Sequence, residues 1–139
     1  DLEVELTESI LMEDSEQSRE ILSRLGAMGI HLAIDDFGTG HSSLAYLKRF
    51  NVHTLKIDRS FIRDLPDDAD DSAIATAVVR LAASLKIRVV AEGVETREQA
   101  AFLREMGCDE MQGYLLSAPL PAEAFPAWLA DRVDGMETA

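Results

Sequence analysis

Cysteine is nearly absent: Cys108 is the sole one in 139 residues. No intrachain disulfide can form, and a reducing compartment, the cytoplasm, is the expected setting. A single thiol in a chain that is 47% hydrophobic reads as a small buried side chain before it reads as a reactive one. Positive charge is scarce as well. With 13 Lys+Arg against 26 Asp+Glu the formal net charge is −13, which argues against a nucleic-acid polymer or an anionic membrane as partner, since both call for a basic stripe. No run of about 18 apolar residues occurs, so no spanning helix is expected. Asp1 to Glu5 have neither a basic start nor an apolar stretch behind it, so no signal peptide is expected. Gly-x-Gly-x-x-Gly and P-loop patterns are missing, which leaves a nucleotide-binding doubly wound sheet without support. Cys/His ligand spacing is missing too, against structural zinc. His31, His41 and His53 share no spacing and read as surface or loop residues.

What is present is an alternation of short β-rich runs and amphipathic runs. The strand candidates are Val4–Leu6, Leu32–Ile34, Thr54–Ile57, Val89–Ala91 and, weakly, Met111–Tyr114. Between them, Asp14 with Gln17 forms a capping box for a helix whose stripe is Ile21, Leu22, Leu25 and Met28, stopped by Gly29. Leu44–Phe50 reads as a short helix and Pro66–Asp71 as an acidic loop. Ser72–Leu85 follows as a helix with Ile74, Val78, Leu81 and Leu85 on one face. Thr96 caps the next helix with Gln99 as its box partner, Phe102, Leu103 and Met106 as its stripe and Gly107 as its end. Pro121 is expected to open a last helix carrying Phe125, Trp128 and Leu129. Five strand–helix units in series imply a parallel sheet with helical crossovers. A (β/α) barrel is the remaining fold, and a whole one takes about 250 residues, so only about five of eight units fit this chain.

Acidic or amide residues recur at the C-terminal ends of these strands: Glu5, then Asp35 and Asp36, then Lys56 with Asp58, then Glu92 and Glu95, then Gln112. Any one of them is most simply a solvated loop acid in an acidic chain. Their repetition at five strand ends favours one shared site, because those ends converge on one face of a barrel. Crowded carboxylates require neutralisation, and an all-oxygen set suits Mg2+ or Mn2+. Asp35 and Asp36 are adjacent, so both reach one site only where the strand has ended or distorted, a geometry suited to two ions sharing a carboxylate. Lys56 alternates inward with Asp58 and can hold a water or a phosphate oxygen, the plain alternative being an ordinary ion pair with Asp58 or a neighbour. Gly38 and Gly40 permit positive φ beside the site, or serve plain turn chemistry.

Five segments in this order carry a resemblance: Glu5-Leu6-Thr7-Glu8-Ser9, Asp35-Asp36-Phe37-Gly38-Thr39-Gly40 with Ser42-Ser43-Leu44, Lys56-Ile57-Asp58, Glu92-Gly93-Val94-Glu95, and Gln112-Gly113-Tyr114. From Leu2 to about Leu129 the chain resembles the C-terminal part of an EAL domain, the bacterial cyclic di-GMP phosphodiesterase. The resemblance implies an α/β modified TIM barrel, with residues 1–133 as its C-terminal part and 134–139 as a frayed tail. It implies hydrolysis of cyclic di-GMP to linear pGpG with Mg2+ or Mn2+, two ions in all. Glu5 and Asp35 map to metal ligands and Asp36 to the second metal. Lys56 maps to the residue that holds the catalytic water, and Glu92 to a general base or an acid near the second metal. Asp58, Glu95 and Gln112 line the site. Glu8 resembles the anchor of the loop after Asp36, which the family links to homodimerisation. His41 stands where the family usually has Tyr. The Glu-Ala-Leu strand and an Asn ligand precede this segment in the family, so the 139 residues are expected to be inactive alone and to need the missing N-terminal part of the barrel. The alternative from another class is a non-catalytic cyclic di-GMP receptor; a metal-dependent barrel lyase of unrelated origin is a weaker third.

Overall fold

The computed structural model describes residues 2–7, 16–39, 47 and 50–136. Five strands, β1 (Glu3–Thr7), β2 (His31–Phe37), β3 (Thr54–Ile57), β4 (Arg88–Glu92) and β5 (Glu110–Gln112), form one sheet in the order β1-β2-β3-β4-β5. Every neighbouring pair is parallel. Helices α1 (Glu16–Ala27), α2 (Ala69–Leu85) and α3 (Arg97–Met106) supply the crossovers that parallel pairing requires, and α4 (Phe125–Met136) follows β5. This is the expected partial (β/α) barrel, a sheet with one face under helices and the other open.

Side chains alternate across the strands. Leu32 and Ile34, Leu55 and Ile57, and Val89 and Ala91 point outward and are buried, as are Ala75, Val78, Val79 and Ala82 of α2. α2 packs on β3 and β4, and α1 on β2. The inward set is largely polar, with Glu3 and Glu5, Thr54 and Lys56, and Arg88 and Glu92, alongside Ala33 and Val90. At the N-terminal end of the sheet the Thr54 hydroxyl donates to Glu3 Oε2 at 2.8 Å, and Arg88 Nη1 donates to Glu110 Oε1 at 3.0 Å. Glu3 and Thr54, 51 positions apart, thus meet across three strands, a contact that local patterning does not reveal.

Several boundaries differ from expectation for physical reasons. β2 continues through Asp35, Asp36 and Phe37 because a bulge absorbs the turn-prone pair (Ile34 pairs Leu55, but Phe37 pairs Ile57), with Asp36 at φ 54. α2 starts at Ala69, not Ser72. Asp68 caps it by accepting from the Asp70 and Asp71 amides, and those acids favour the first helical turn. Pro121 does not open a helix: the Ala124 amide donates to the Pro121 carbonyl in a separate turn. α4 begins at Phe125, with Pro126 placed where a missing N–H costs nothing. In α1 only Leu22 of the expected stripe is buried; Ile21 and Met28 are 50% and 73% exposed. The box of Thr96 and Gln99 is present as expected. Asp14, Gly40, His41 and the Leu44–Phe50 helix lie wholly or largely outside the described residues. His31 and His53 are half-buried and stacked, ring centres 4.5 Å apart, with His53 Nδ1 accepting from the Leu32 amide. Among the described residues no helix is long and apolar enough to cross a membrane.

Candidate active site

The C-terminal ends of β1, β2, β3 and β4 bring four charged side chains to one point on the open face. Lys56 Nζ donates to Glu5 Oε1 at 2.7 Å and lies 2.7 Å from Glu92 Oε1 and 3.7 Å from Asp35 Oδ1. Its side chain is only 9% exposed, whereas those of Glu5, Asp35 and Glu92 are 50%, 28% and 22% exposed. The register sets the geometry: Glu5, Ala33, Thr54 and Arg88 are level across four strands, and Lys56 lies two residues beyond Thr54 on the same face, level with Val90, so its long side chain reaches back to Glu5. Ala33 has no exposed surface, and its small side chain lets Lys56 reach across β2 to Glu5.

Burial works against the Lys56 charge, but the hydrogen bonds it donates to Glu5 and Glu92 and the charges of Glu92 and Asp35 outweigh it. The ammonium is held well above its ordinary pKa. An ammonium has three donors; two reach Glu5 and Glu92, and the contact to Asp35 is too long for a direct bond. Three carboxylates against one ammonium leave the cluster negative, so it still attracts cations.

The bulge turns Asp36 towards the next acid along. Its amide donates to Asp35 Oδ1 at 3.0 Å, and its carboxyl lies close to that of Asp58. Burial, then the charges of Asp35 and Asp58, push Asp36 above the ordinary carboxylate value. Asp58 moves the other way: hydrogen bonds from Ser60 lower it, burial opposes, and the Ser60 amide donates to Asp58 Oδ1 at 2.9 Å. Asp58 also caps the 3-10 turn Arg59–Phe61. The Asp36 and Asp58 carboxyls, with a net negative cluster beside them, fit a divalent cation in donor type and charge. The donors do not form a closed cage: among the described residues no three His, Cys, Asp or Glu side chains are grouped to hold an ion. Lys56 holds two of them on itself.

Gln112 is level with the cluster, and Glu95 lies three residues past Glu92. Glu92 and Gln112 are register partners on β4 and β5, and Gln112 is exposed. Glu95 Oε1 meets Arg59 Nη2 at 3.1 Å. Glu8 lies outside the described residues. Two residues escaped the sequence reading. Gln99, expected only as a cap, is buried; its Oε1 accepts from the Glu95 and Thr96 amides and its Nε2 donates to the Arg63 carbonyl, which binds the segments after β3 and β4 together. Arg59 was not singled out either. A cleft of about 650 Å³ lined by Arg63, Asp64, Pro66, Thr96 and Gln99 shares no residue with the Lys56 cluster.

The family model described as EAL domain matches residues 1–119. The chain belongs to the EAL domain family. It is 52% identical over 127 residues to the bifunctional diguanylate cyclase/cyclic di-GMP phosphodiesterase MucR of Pseudomonas aeruginosa, covering 91% of this chain and 18% of that protein. To the cyclic di-GMP phosphodiesterase NbdA of the same organism it is 52% identical, covering 92% of this chain and 16% of NbdA. The EAL segment here therefore spans under a fifth of either relative. Among solved structures, the MucR phosphodiesterase in complex with c-di-GMP superposes with a TM-score of 0.84 at 52% identity, covering 89% of this chain and 50% of that one. A manganese/cy-diGMP complex of Klebsiella pneumoniae BlrP1 gives 0.77 at 41% identity, covering 84% and 30%. The EAL segment thus has divalent-metal complexes among its structural neighbours.

Proposed function

We propose that this EAL segment, completed by the N-terminal part of its barrel, hydrolyses cyclic di-GMP to linear pGpG with Mg2+ or Mn2+. The observation that carries the reading is the Lys56 ammonium bracketed by Glu5 and Glu92 at 2.7 Å beside Asp35. It is supported by relatives named cyclic di-GMP phosphodiesterases at about half identity and by a related structure that holds c-di-GMP.

Glu5, Asp35 and Asp36 would hold the divalent ions, two in number; bound there, such ions polarise phosphoryl oxygens and lower the pKa of a bound water. The chain's own groups divide the remaining work. Lys56 is protonated throughout, so it serves as a donor that fixes the attacking water and never as a base. Glu92, hydrogen-bonded to Lys56 and partly open to solvent, accepts the proton from that water. Asp58, beside Asp36, lines the site, while Glu95 and Gln112 border the nucleotide. The substrate is an anion approaching an acidic face, so binding depends on bound cations. Pairing of two copies through the loop after Asp36, anchored by Glu8, belongs to this proposal.

A second reading, a cyclic di-GMP receptor without turnover, draws on the lack of a closed metal cage among the described residues. The test is pGpG release by the complete parent chain with Mg2+ or Mn2+, wild type against Glu92→Gln. Release that falls sharply in the variant supports the enzyme. Binding without release by wild type supports the receptor.

A further inference from the structure

The turn that follows Glu92 is held from one side by β5 and from the other by a side chain outside the cluster. Gly93 has φ 71, and a Cβ built on it would lie 2.5 Å from Arg59 Cγ and 3.0 Å from Arg59 Cδ. The aliphatic stem of Arg59 therefore lies directly over the Gly93 backbone. Its guanidinium continues past Gly93 to Glu95, 3.1 Å away. Both ends of that ion pair are largely exposed (61% and 41%), so the charge interaction contributes little. The stem contact is different in kind, because van der Waals cover over a bare backbone blocks the outward swing of the turn. The backbone of Arg59 is itself fixed: it starts a 3-10 turn capped by Asp58, whose carboxyl meets Asp36. On the far side the Val94 amide donates to the Gln112 carbonyl, and the Leu115 amide to the Val94 carbonyl, both at 3.0 Å. The turn is thus clamped between β5 and the Arg59 stem, and Glu92 is the last residue before it.

We propose that Arg59 is a positioning residue: its stem pins Gly93 and thereby sets the distance between Glu92 and Lys56. The inference rests on the role given to Glu92 above. Gly93 suits this contact, since both its φ of 71 and the Arg59 stem disfavour a side chain there.

The test compares Arg59→Ala, which removes Cγ and Cδ, with Arg59→Met, which keeps an unbranched stem and removes the charge. Two readouts are taken in the parent chain: amide hydrogen exchange at Val94 and Glu95 relative to Leu103 in α3, and kcat and KM for cyclic di-GMP. In Arg59→Ala exchange at Val94 and Glu95 is expected to rise about tenfold while Leu103 is unchanged, a local opening with no global one. kcat should fall about tenfold or more, because a displacement near 1 Å of a reacting group costs up to about a hundredfold. KM should stay within about twofold. Arg59→Met should resemble wild type in both readouts. Unchanged exchange in Arg59→Ala overturns the inference, as does an Arg59→Met variant as impaired as Arg59→Ala. A rise in KM with kcat unchanged also overturns it, since that marks direct contact with substrate. A wild type without turnover defeats the proposed hydrolase instead, and the exchange readout still decides whether the stem holds the turn.

Discussion

Replacing Gly113 by alanine isolates one steric fact on which the β4–β5 side of the site depends. A Cβ at Gly113 would lie 2.1 Å from Val94 O, 2.4 Å from Val94 N and 2.7 Å from Val94 C. All three are backbone atoms, so no side chain can turn aside. Ordinary carbon contacts begin near about 3.5 Å, and the two segments must part by about 1 Å. The gap is bridged by two hydrogen bonds, Val94 amide to Gln112 carbonyl and Leu115 amide to Val94 carbonyl, each 3.0 Å long. Stretched to about 4 Å they are lost. Each is worth about 1 kcal/mol, and overpacking adds about 1–3 kcal/mol, so the expected destabilisation is about 3–5 kcal/mol. That is a large share of the roughly 5–15 kcal/mol that holds a domain folded. Urea unfolding followed by circular dichroism measures it, with the midpoint falling and the slope unchanged. Gly26→Ala in α1 is the control: a Cβ there meets nothing within 4 Å, and the helix should gain up to about 1 kcal/mol. If Gly113→Ala costs less than about 1 kcal/mol, the packing of β5 against the Glu92 turn has been misread.

Three further outcomes are expected. Lys56→Met leaves Glu5, Asp35 and Glu92 facing one another without their shared cation; stability at pH 7 should fall by about 2–4 kcal/mol, and adding Glu5→Gln to it should recover part of the loss, as a double-mutant cycle in urea would show. Gln99→Ala should cost more than Thr96→Ala, because Thr96 accepts one bond while the Gln99 amide makes three, one of them to Arg63 across the fold; the expected losses in thermal unfolding are about 1 kcal/mol for Thr96 and about 2–3 kcal/mol for Gln99. Burial raises the Cys108 thiol above its ordinary value, with the Glu110 carbonyl nearby; labelling by a thiol reagent at pH 8 should therefore be slow in the folded chain and fast in urea, and fast labelling without denaturant would contradict the burial.

The sequence made legible those features whose cause is local. Thr96 and Gln99 satisfy each other's backbone three residues apart, so the box needs no tertiary knowledge. Asp35 and Asp36 could share a site only on a distorted strand, and the bulge with Asp36 in a left-handed conformation supplies that distortion. The acidic stretch before α2 misled because acids are common in loops, yet Asp68, Asp70 and Asp71 sit where a helix N-terminus favours negative charge. Helical periodicity names a face without naming what covers it, which is why Ile21 and Met28 looked like core and are exposed. Contacts that cross the fold were invisible: Lys56 to Glu5, Thr54 to Glu3, and the Arg59 stem on Gly93 join residues 34 to 51 positions apart through strand register and the turns that follow the strands.

The central claim is that the Lys56 cluster performs hydrolysis, with Glu92 taking the proton. The most direct measurement follows pGpG release and cyclic di-GMP affinity in the parent chain, with Mg2+ or Mn2+ supplied, for wild type and Glu92→Gln. The account predicts turnover by wild type and a fall in kcat of about a hundredfold or more in the variant. Affinity should change far less, because the proton transfer is made only in the transition state. Tight binding by wild type with no pGpG formed would contradict the account and leave a receptor in its place.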